Sequence, residues 1–265
     1  SDFKYVWSEN NKYGKEMIFA LLHETGNNAA EIACHFGPSD HPEVPGRWQY
    51  YGVSLPFWRS YDKEDPRREF FYYDYTGDAK RDDQSDYGFH YMVPEEGVTV
   101  VPNDTTKYMQ NVATMKYTYD MISDAYYDGR TICIFRLSDV ILCKAEIENN
   151  LNGPAAALPY LNQIRARAGA PEYGKHNRFP APSTKETMND AILKERGYEL
   201  VFEFQRRADL IRFGKYEEVV NAHLKKLGIA QPTNVTSSLR YFPYPLNDAQ
   251  LNPNLAAENP SRLPK

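Results

Sequence analysis

The stretch ILKERGYELVFEFQRRADLIRF, residues 192–213, decides how the rest of this chain is interpreted. Its apolar residues recur at the i, i+3, i+4, i+7 spacing of one helix face, which predicts a buried amphipathic helix through the whole stretch. We predict that the helix starts near Ser183 and Thr184, because Glu186 follows them at the spacing of a capping box. Its predicted end is Gly214, since glycine often follows the last helical residue.

Charged side chains are unusually frequent within this apolar stretch. Glu195, Glu199 and Glu203 are four residues apart and therefore share one helix face. Further charges lie among Leu, Val and Phe: Arg196, Arg206, Arg207, Asp209 and Arg212. Burying an unpaired charge is costly, so these side chains should form ion pairs and hydrogen bonds. We predict that the glutamates are structural and tie the helix to neighbouring helices.

Several motifs resemble one known family. Residues 195–212 contain E-R-x-x-E-L, F-E, Q-R and D-L-x-R, similar to the helix signature of SusD/RagB proteins, the glycan-binding surface lipoproteins of the Bacteroidetes. Residues 136–146 resemble the family's R-L-A-E-V-x-L-x-x-A-E helix, and residues 161–169 resemble its L-N-x-x-R-x-R-A-G. Residues 242–245 and 252–260 resemble its closing F-P-I-P and N-P-G-Y. The motifs occur in the family's order.

The resemblance implies a mainly α fold: a SusD-like, TPR-derived helical fold with short β-strands or hairpins and long loops. We expect residues 1–130 to form a mixed strand and loop region with the binding loops. Residues 131–265 should form the TPR-like helical region and a C-terminal wrap, within one continuous domain. Because the motifs match the C-terminal half of the family, we expect a fragment of a longer protein that carries an export signal and a lipid anchor.

Local patterns predict the individual elements. Two helices starting near residues 136 and 154 should form a hairpin, since Asn152-Gly153 ends the first helix and Pro154 suits the first turn of the next. A further helix is expected at 216–227. Apolar or alternating runs predict strands, the first of them buried, at residues 16–23, 68–75, 87–91, 115–119 and 132–135.

The amino-acid composition argues against nucleic-acid binding and against a membrane-spanning helix. A net charge of −5 gives no electrostatic footprint for nucleic acid, and no apolar run is long enough to span a bilayer. The chain has 21 Tyr, 13 Phe and 3 Trp, an excess that suits either a core or a sugar-stacking surface. Cys34, Cys133 and Cys143 have no metal-site spacing. They can be buried thiols, or Cys133 and Cys143 can form a bridge.

Aromatic residues cluster in a loop rich in Gly, Pro and Asn at residues 25–52. Sugars bind by stacking on aromatic rings while polar side chains hold their hydroxyls, and such groups often lie on loops of a rigid scaffold. The candidate glycan-binding residues are Arg47, Trp48, Tyr50, Tyr51 and Trp58, with Gln49 and Arg59 as further polar groups. Trp58, in a helical turn predicted at 55–61, is either a binding residue or a core anchor.

The sequence contains no Walker loop, G-x-S-x-G or H-E-x-x-H motif. A glycosidase needs two carboxylates across the sugar, and Glu199 and Glu203 are expected to be structural instead. We therefore predict no catalysis, no cofactor and no metal site. The resemblance implies glycan binding and delivery to a SusC-like TonB-dependent transporter, at the extracellular face of the outer membrane. The alternatives are a TPR-type adaptor for proteins or peptides and a glycoside hydrolase.

Overall fold

The computed structural model describes residues 3–24, 31–44, 47–77, 88–97, 106–120, 129–226, 235–252 and 254–255. The chain forms two compact units, Ser1–Glu203 and Phe204–Lys265. The described residues are mainly helical, as predicted, with few and short strands. The predicted division at residue 130, between a strand and loop region and a helical region, stays a prediction about how the chain is organised.

The first unit contains most of the secondary structure. Its helices are α1 (Ile32–Phe36), α2 (Leu55–Arg59), α3 (Leu137–Asn152), α4 (Pro154–Ala168) and α5 (Lys185–Glu199). Its strands are β1 (Met17–Leu21), β2 (Val53–Ser54), β3 (Phe71–Tyr72), β4 (Asp74–Thr76), β5 (His90–Met92), β6 (Thr106–Tyr108), β7 (Asn111–Thr114) and β8 (Ile132–Arg136).

The predicted helical hairpin is confirmed in α3 and α4, which pack against each other and against α5. Gly153 alone separates the two hairpin helices. Its φ of 89° suits glycine, and its N–H donates to the carbonyls of Glu148 at 3.0 Å and Asn149 at 3.1 Å. Pro154 follows in the first turn of α4, where a missing N–H costs nothing.

Helix α5 begins where expected, but its cap differs from the prediction. Thr184 is the N-cap, and its hydroxyl accepts from the N–H of Thr187 at 3.1 Å. The Thr187 hydroxyl in turn accepts from the Thr184 N–H at 3.1 Å. The capping box therefore pairs Thr184 with Thr187 and not with Glu186, because the third helical position is the one whose N–H faces the cap.

The prediction of one helix through residues 192–213 is wrong. Helix α5 ends at Glu199, and Phe202 and Phe204 have positive φ values of 60° and 64° that no α-helix contains. The carbonyl of Glu199 accepts from Lys116 Nζ at 2.9 Å and from Arg136 Nη2 at 2.7 Å. These cations take a carbonyl that a longer helix would bond internally, so distant residues end the helix.

The strands of the described residues form three small sheets. β1 pairs antiparallel with β8, and β7 lies between β2 and β3, antiparallel to both. In the third sheet β5 is antiparallel to β4 and parallel to β6. The sheet of β2, β7 and β3 directly follows the loop that contains the predicted aromatic residues, because β2 begins at Val53.

The strand predictions hold in part. Strands at 16–23 and 132–135 are confirmed as β1 and β8, but β1 is not buried, since Ile18 and Phe19 are 58% and 55% exposed. The run at 68–75 is broken into a 3₁₀ turn, β3 and β4. The predicted strand at 115–119 is wrong, because β7 ends at Thr114 and a turn follows. Of the strand at 87–91, only its end lies in β5, and Tyr87 lies outside the described residues.

The core of the first unit is largely aromatic. One cluster joins the N-terminal residues to α1 and the turn after β7: Phe3, Val6, Trp7, Ile32, Phe36, Phe70 and Tyr117. A second cluster joins α2 and the sheet of β2, β7 and β3 to the end of α5: Val53, Trp58, Tyr61, Phe71, Val112 and Tyr198. Much of the aromatic excess is therefore core rather than surface.

The second unit is small and contains α6 (Arg206–Arg212), α7 (Tyr216–Lys226) and α8 (Leu246–Leu251). Helix α7 confirms the helix predicted at 216–227, of which Leu227 lies outside the described residues. The Arg240 guanidinium binds the Glu217 carboxylate of α7 with contacts of 2.7 and 3.0 Å. This pair joins the 3₁₀ turn Ser237–Arg240 to α7.

The cysteines follow the first of the two predicted alternatives. None of the three forms a disulfide; Cys34 and Cys133 are buried, and Cys143 is partly buried. Burial raises the pKa of the Cys133 thiol to about 12, which keeps it protonated and unreactive. Among the described residues, the helices are too short or too polar to cross a membrane.

Candidate binding surface

A buried network of charges occupies the centre of the first unit. Glu195 accepts from Arg67 at 2.6 Å and from Arg165 at 2.7 Å. Glu199 accepts from Arg67 at 3.0 Å and from Arg136 at 2.6 Å, and it also contacts Arg167. The helix α5 carboxylates thus connect Arg67 from the turn before β3, Arg136 at the end of β8, and Arg165 and Arg167 of α4.

Glu203 completes this network beyond the end of α5. Its carboxylate accepts from Arg136 Nε at 2.7 Å and from Lys116 Nζ at 2.6 Å. The turn after α5 keeps Glu203 beside Glu199 although the helix has ended. The residues 195, 199 and 203 are therefore structural, as their spacing predicts, and each is at most 4% exposed.

The pKa values in this network oppose a role in glycoside hydrolysis. Burial raises the pKa of Glu199, but Arg136, Arg167 and Arg67 outweigh it and lower that pKa well below its usual range. The pKa of Glu203 is also lowered, because Arg136 and Lys116 outweigh the effect of burial. A general acid of a glycosidase needs a raised pKa and access to the sugar, and these carboxyls have neither.

The predicted aromatic residues come together on the surface beside α1. Tyr50 and Tyr51 are 65% and 56% exposed, and Trp48 is partly exposed. The rings of Trp48 and Tyr50 have centroids 5.4 Å apart and an angle of 36° between their planes. Trp48, Tyr50 and Tyr51 are called the aromatic platform below.

Backbone hydrogen bonds fix the platform to α1 and to the residues just after it. The N–H of Trp48 donates to the Cys34 carbonyl at 2.7 Å, and the N–H of Tyr51 donates to the His35 carbonyl at 3.1 Å. Between them, Gln49 has a φ of 49° and its N–H donates to the Gly37 carbonyl at 3.0 Å. Residues 48–51 are thus held by the protein itself, an arrangement that would lower the entropy lost on binding a ligand.

Arg47, the first candidate residue, points inward and not toward a ligand. It is 1% exposed, and its Nη1 donates to Cys34 Sγ at 3.6 Å. A Cβ atom on Gly37 would come within 2.8 Å of Arg47 Cγ, so glycine leaves the space for this side chain. The loop covers the Arg47 side chain, so this residue packs beneath the loop and is not available to a ligand.

Trp58 lies in the core, the second of the two predicted possibilities. It is 4% exposed, and its Nε1 donates to the Arg68 carbonyl at 3.2 Å. The Arg68 guanidinium lies 3.9 Å from the centre of the ring. Helix α2 turns the side chain of Trp58 into the aromatic cluster beneath the sheet, so sequence proximity to the platform does not make it part of the surface.

The two further polar candidates have different environments. Gln49 Nε2 donates to Asn111 Oδ1 of β7 at 3.4 Å, which links the platform loop to the sheet. Arg59 donates to the Pro94 carbonyl, on the wall of an open groove of about 520 Å³. That groove also contains the ring of Tyr73 and is a competing surface for a ligand.

His35 also belongs to this group of rings, although the sequence does not mark it as a candidate. Its ring contacts all three platform residues, with the nearest centroid, that of Trp48, at 5.2 Å. A histidine in the short α1 segment carries no pattern that distinguishes it from any surface histidine. His35 contacts the platform residues only because the loop after residue 46 lies over α1 in the folded chain.

A model of the SusD family matches residues 24–261. This chain belongs to the SusD family. The SusD-like protein P25 of Formosa agariphila is 39% identical over 120 residues, which cover 45% of this chain and 22% of that protein. The starch-binding protein SusD of Bacteroides thetaiotaomicron is 28% identical over 137 residues, which cover 51% of this chain and 22% of that protein.

Solved structures of the SusD superfamily have the same fold. A SusD homolog from Bacteroides thetaiotaomicron superposes with a TM-score of 0.66 at 24% identity and covers 94% of this chain and 53% of its own. Surface glycan-binding protein A of the same organism, in complex with laminarihexaose, has a TM-score of 0.64 at 21% identity and the same coverage. This SusD-family chain therefore spans about half the length of those two solved chains.

Proposed function

We propose that this SusD-family chain binds a glycan at the aromatic platform and performs no chemistry on it. The observation that carries the proposal is an exposed group of three aromatic residues on a loop held by backbone hydrogen bonds. Aromatic rings offer a large apolar area and only two side-chain torsions, so they bind at a low entropy cost. Two relatives support the ligand class, one by its starch-binding name and one by its bound laminarihexaose.

The two buried asparagines of the helical hairpin do not support the adaptor alternative. A peptide groove would need Asn side chains free to bind a backbone. Asn149 instead donates to the Lys185 carbonyl and to Asn189, both at 2.8 Å, and Asn162 donates to the Tyr173 carbonyl at 2.9 Å. These Asn side chains join the helices of the first unit to each other and to the loop after α4.

The direct test is glycan binding by the purified chain. Affinity electrophoresis against a polysaccharide panel that includes starch and laminarin should show retardation, and titration calorimetry should give the affinity for the corresponding oligosaccharides. Tyr50→Ala should weaken binding, whereas Tyr73→Ala, in the groove beside Trp58, should not. The opposite pattern would move the site to the groove, and absence of binding to every glycan in the panel would reject the proposed function.

We further propose that the whole protein lies at the extracellular face of the outer membrane and delivers its glycan to a SusC-like TonB-dependent transporter. Family membership supports this part of the proposal. The test is affinity purification of the full-length protein from native outer membranes under mild detergent. A TonB-dependent transporter should be recovered in stoichiometric amount, and its absence would count against the partnership.

A further inference from the structure

His35 lies at the centre of the aromatic platform. Its ring centroid is 5.2 Å from that of Trp48, 5.4 Å from that of Tyr50 and 6.1 Å from that of Tyr51. The angles between its plane and theirs are 76°, 40° and 51°. A ligand that stacks on any of the three rings therefore comes close to the imidazole.

Backbone hydrogen bonds hold the segment that carries His35 against the platform loop. Trp48 and Tyr51 donate backbone hydrogen bonds to the carbonyls of Cys34 and His35, so the loop is bonded to the chain on both sides of the ring. On its other side α1 places the buried Ile32 and Phe36 in the core. The side chain of His35 is nevertheless 32% exposed, which leaves one edge of the ring open to a ligand.

The two ring nitrogens have different environments. Nδ1 is buried and has no hydrogen-bond partner among the described residues. Nε2 lies 3.8 Å from Glu31 Oε2, which is longer than a hydrogen bond. A neutral imidazole has one donor and one acceptor, and a buried N–H without an acceptor is costly. The tautomer that avoids this cost carries its proton on Nε2, the nitrogen nearer to Glu31.

We propose that His35 is a ligand-contacting residue of the platform, whose Nε2–H donates a hydrogen bond to a hydroxyl of a stacked sugar. This inference rests on the proposed function. The Glu31 carboxylate beside Nε2 would repel a uronate or sulfate and can accept from a sugar hydroxyl, so the ligand class is a neutral oligosaccharide. The platform then combines stacking area with one oriented donor, the usual composition of a specific site.

Two substitutions separate the ring from its donor. His35→Phe keeps an aromatic ring in the cluster and removes the N–H, and it should weaken binding of laminarihexaose or maltoheptaose about tenfold, the typical size of one lost hydrogen bond. His35→Gln keeps a donor near Nε2 and should retain more affinity than His35→Phe. His90→Phe is the matched control and should bind as the wild type does. His90 lies in β5, outside the platform, and its Nε2 is 2.6 Å from Oδ1 of Asp74 in β4.

A measurement on the wild-type chain removes any dependence on the folding of the variants. In protein labelled with ¹⁵N-histidine, the His35 ring should show the Nε2–H tautomer, and its Nε2 resonance should shift when laminarihexaose or maltoheptaose saturates the site. An Nδ1–H tautomer, or no shift at saturation, would overturn the inference.

The outcomes distinguish the two proposals. If Tyr50→Ala loses binding while His35→Phe binds as the wild type does, the platform stands and the role of His35 is rejected. If neither change affects a measurable affinity, the platform itself is rejected, and His35 with it. If the wild-type chain binds neither oligosaccharide, the inference about His35 is overturned, while binding of another glycan of the panel would leave the proposed function standing.

Discussion

Arg136 Nη1 lies 2.6 Å from Glu199 Oε1, and both side chains are completely shielded from solvent. The same guanidinium donates through Nη2 to the Glu199 carbonyl at 2.7 Å and through Nε to Glu203 at 2.7 Å. One residue at the end of β8 therefore binds the last residue of α5 and the turn that follows it. This contact joins the sheet of β1 and β8 to helix α5 within the first unit.

The first prediction concerns the stability that this network provides. Glu199→Gln removes the charge that faces Arg136 and Arg67, and breaking one partner of a buried ion pair costs about 3–5 kcal/mol. The melting temperature should fall by roughly 10 °C for a unit of this size. Differential scanning calorimetry measures it.

Two comparisons decide the meaning of that result. Glu186→Gln, an exposed change in the first turn of the same helix, should leave the melting temperature unchanged. Glycan affinity of folded Glu199→Gln should also stay near that of the wild type. Unchanged stability together with lost binding would show that Glu199 contributes to the binding site and not to the buried network of charges.

A second prediction follows from Lys116 and is seen at alkaline pH. Burial lowers the pKa of this ammonium to about 8, an effect that the Glu203 carboxylate only partly offsets. Between pH 8, near the lowered pKa, and pH 10.5, the ordinary lysine pKa, Lys116 binds more protons in the unfolded chain than in the folded chain. The contribution of Lys116 to the free energy of unfolding should therefore increase with pH, by at most about 1.4 kcal/mol per pH unit.

The measurement compares urea unfolding of the wild type and Lys116→Met from pH 7.5 to 10. The free energy of unfolding of the wild type, minus that of the variant, should rise across this range. Subtracting the variant removes the opposing effect of the buried tyrosines, which both proteins share. A flat or falling difference would mean that Lys116 keeps an ordinary pKa when folded.

The third prediction concerns Trp58, the candidate that the structure places in the core. Truncating a buried tryptophan costs about 3–5 kcal/mol, so Trp58→Ala should lower the melting temperature by roughly 10 °C. Binding measured well below that temperature should change little. A stable Trp58→Ala protein that no longer binds glycan would show that Trp58 is a binding residue and not a core residue.

The sequence predicts this fold well where local rules decide it. Gly153 and Pro154 mark the hairpin turn, and the spacing of Glu195, Glu199 and Glu203 correctly indicates a buried row of carboxylates. It fails where distant residues decide. Nothing near Glu199 shows that Lys116 and Arg136 will take its carbonyl and end α5, because these residues are remote in sequence.

The candidate site was predictable to a similar extent. The density of rings in a loop with many turn residues points to Trp48, Tyr50 and Tyr51, and the structure brings these three together. The structure separates Trp58 from these three residues, because α2 directs the Trp58 side chain into the core. His35 joins them through folding of the loop over α1, a contact that no periodicity in the sequence encodes.

The fourth prediction tests the absence of chemistry. Incubation of the chain with plant and host polysaccharides should release no reducing ends, because the carboxyls of the helix α5 network are buried and ionised. A reducing-sugar assay over a full day, with a known glycosidase as positive control, measures this. Release that disappears in Glu203→Ala would overturn the binding-only interpretation.

The last prediction concerns the platform itself. Trp48→Ala should abolish detectable glycan binding, Tyr50→Ala and Tyr51→Ala should weaken it, and all three proteins should remain folded. Truncating a residue at the centre of an interface costs on the order of 2 kcal/mol, about a thirtyfold loss. Polysaccharide affinities are weak, so a loss of this size removes most of the measurable binding.

Tyr13→Ala supplies the matched control, because Tyr13 is also an exposed ring of the first unit, at 75%, and lies outside the platform. It should bind like the wild type, which separates a specific loss from a general loss of surface aromatic area. Titration calorimetry beside a melting curve for each variant gives both quantities. Because the backbone bonds of Trp48 and Tyr51 to α1 do not involve their side chains, each alanine variant should keep the loop in place. Wild-type affinity in a folded Trp48→Ala protein would therefore remove the platform as the site, while the fold and the family membership would stand.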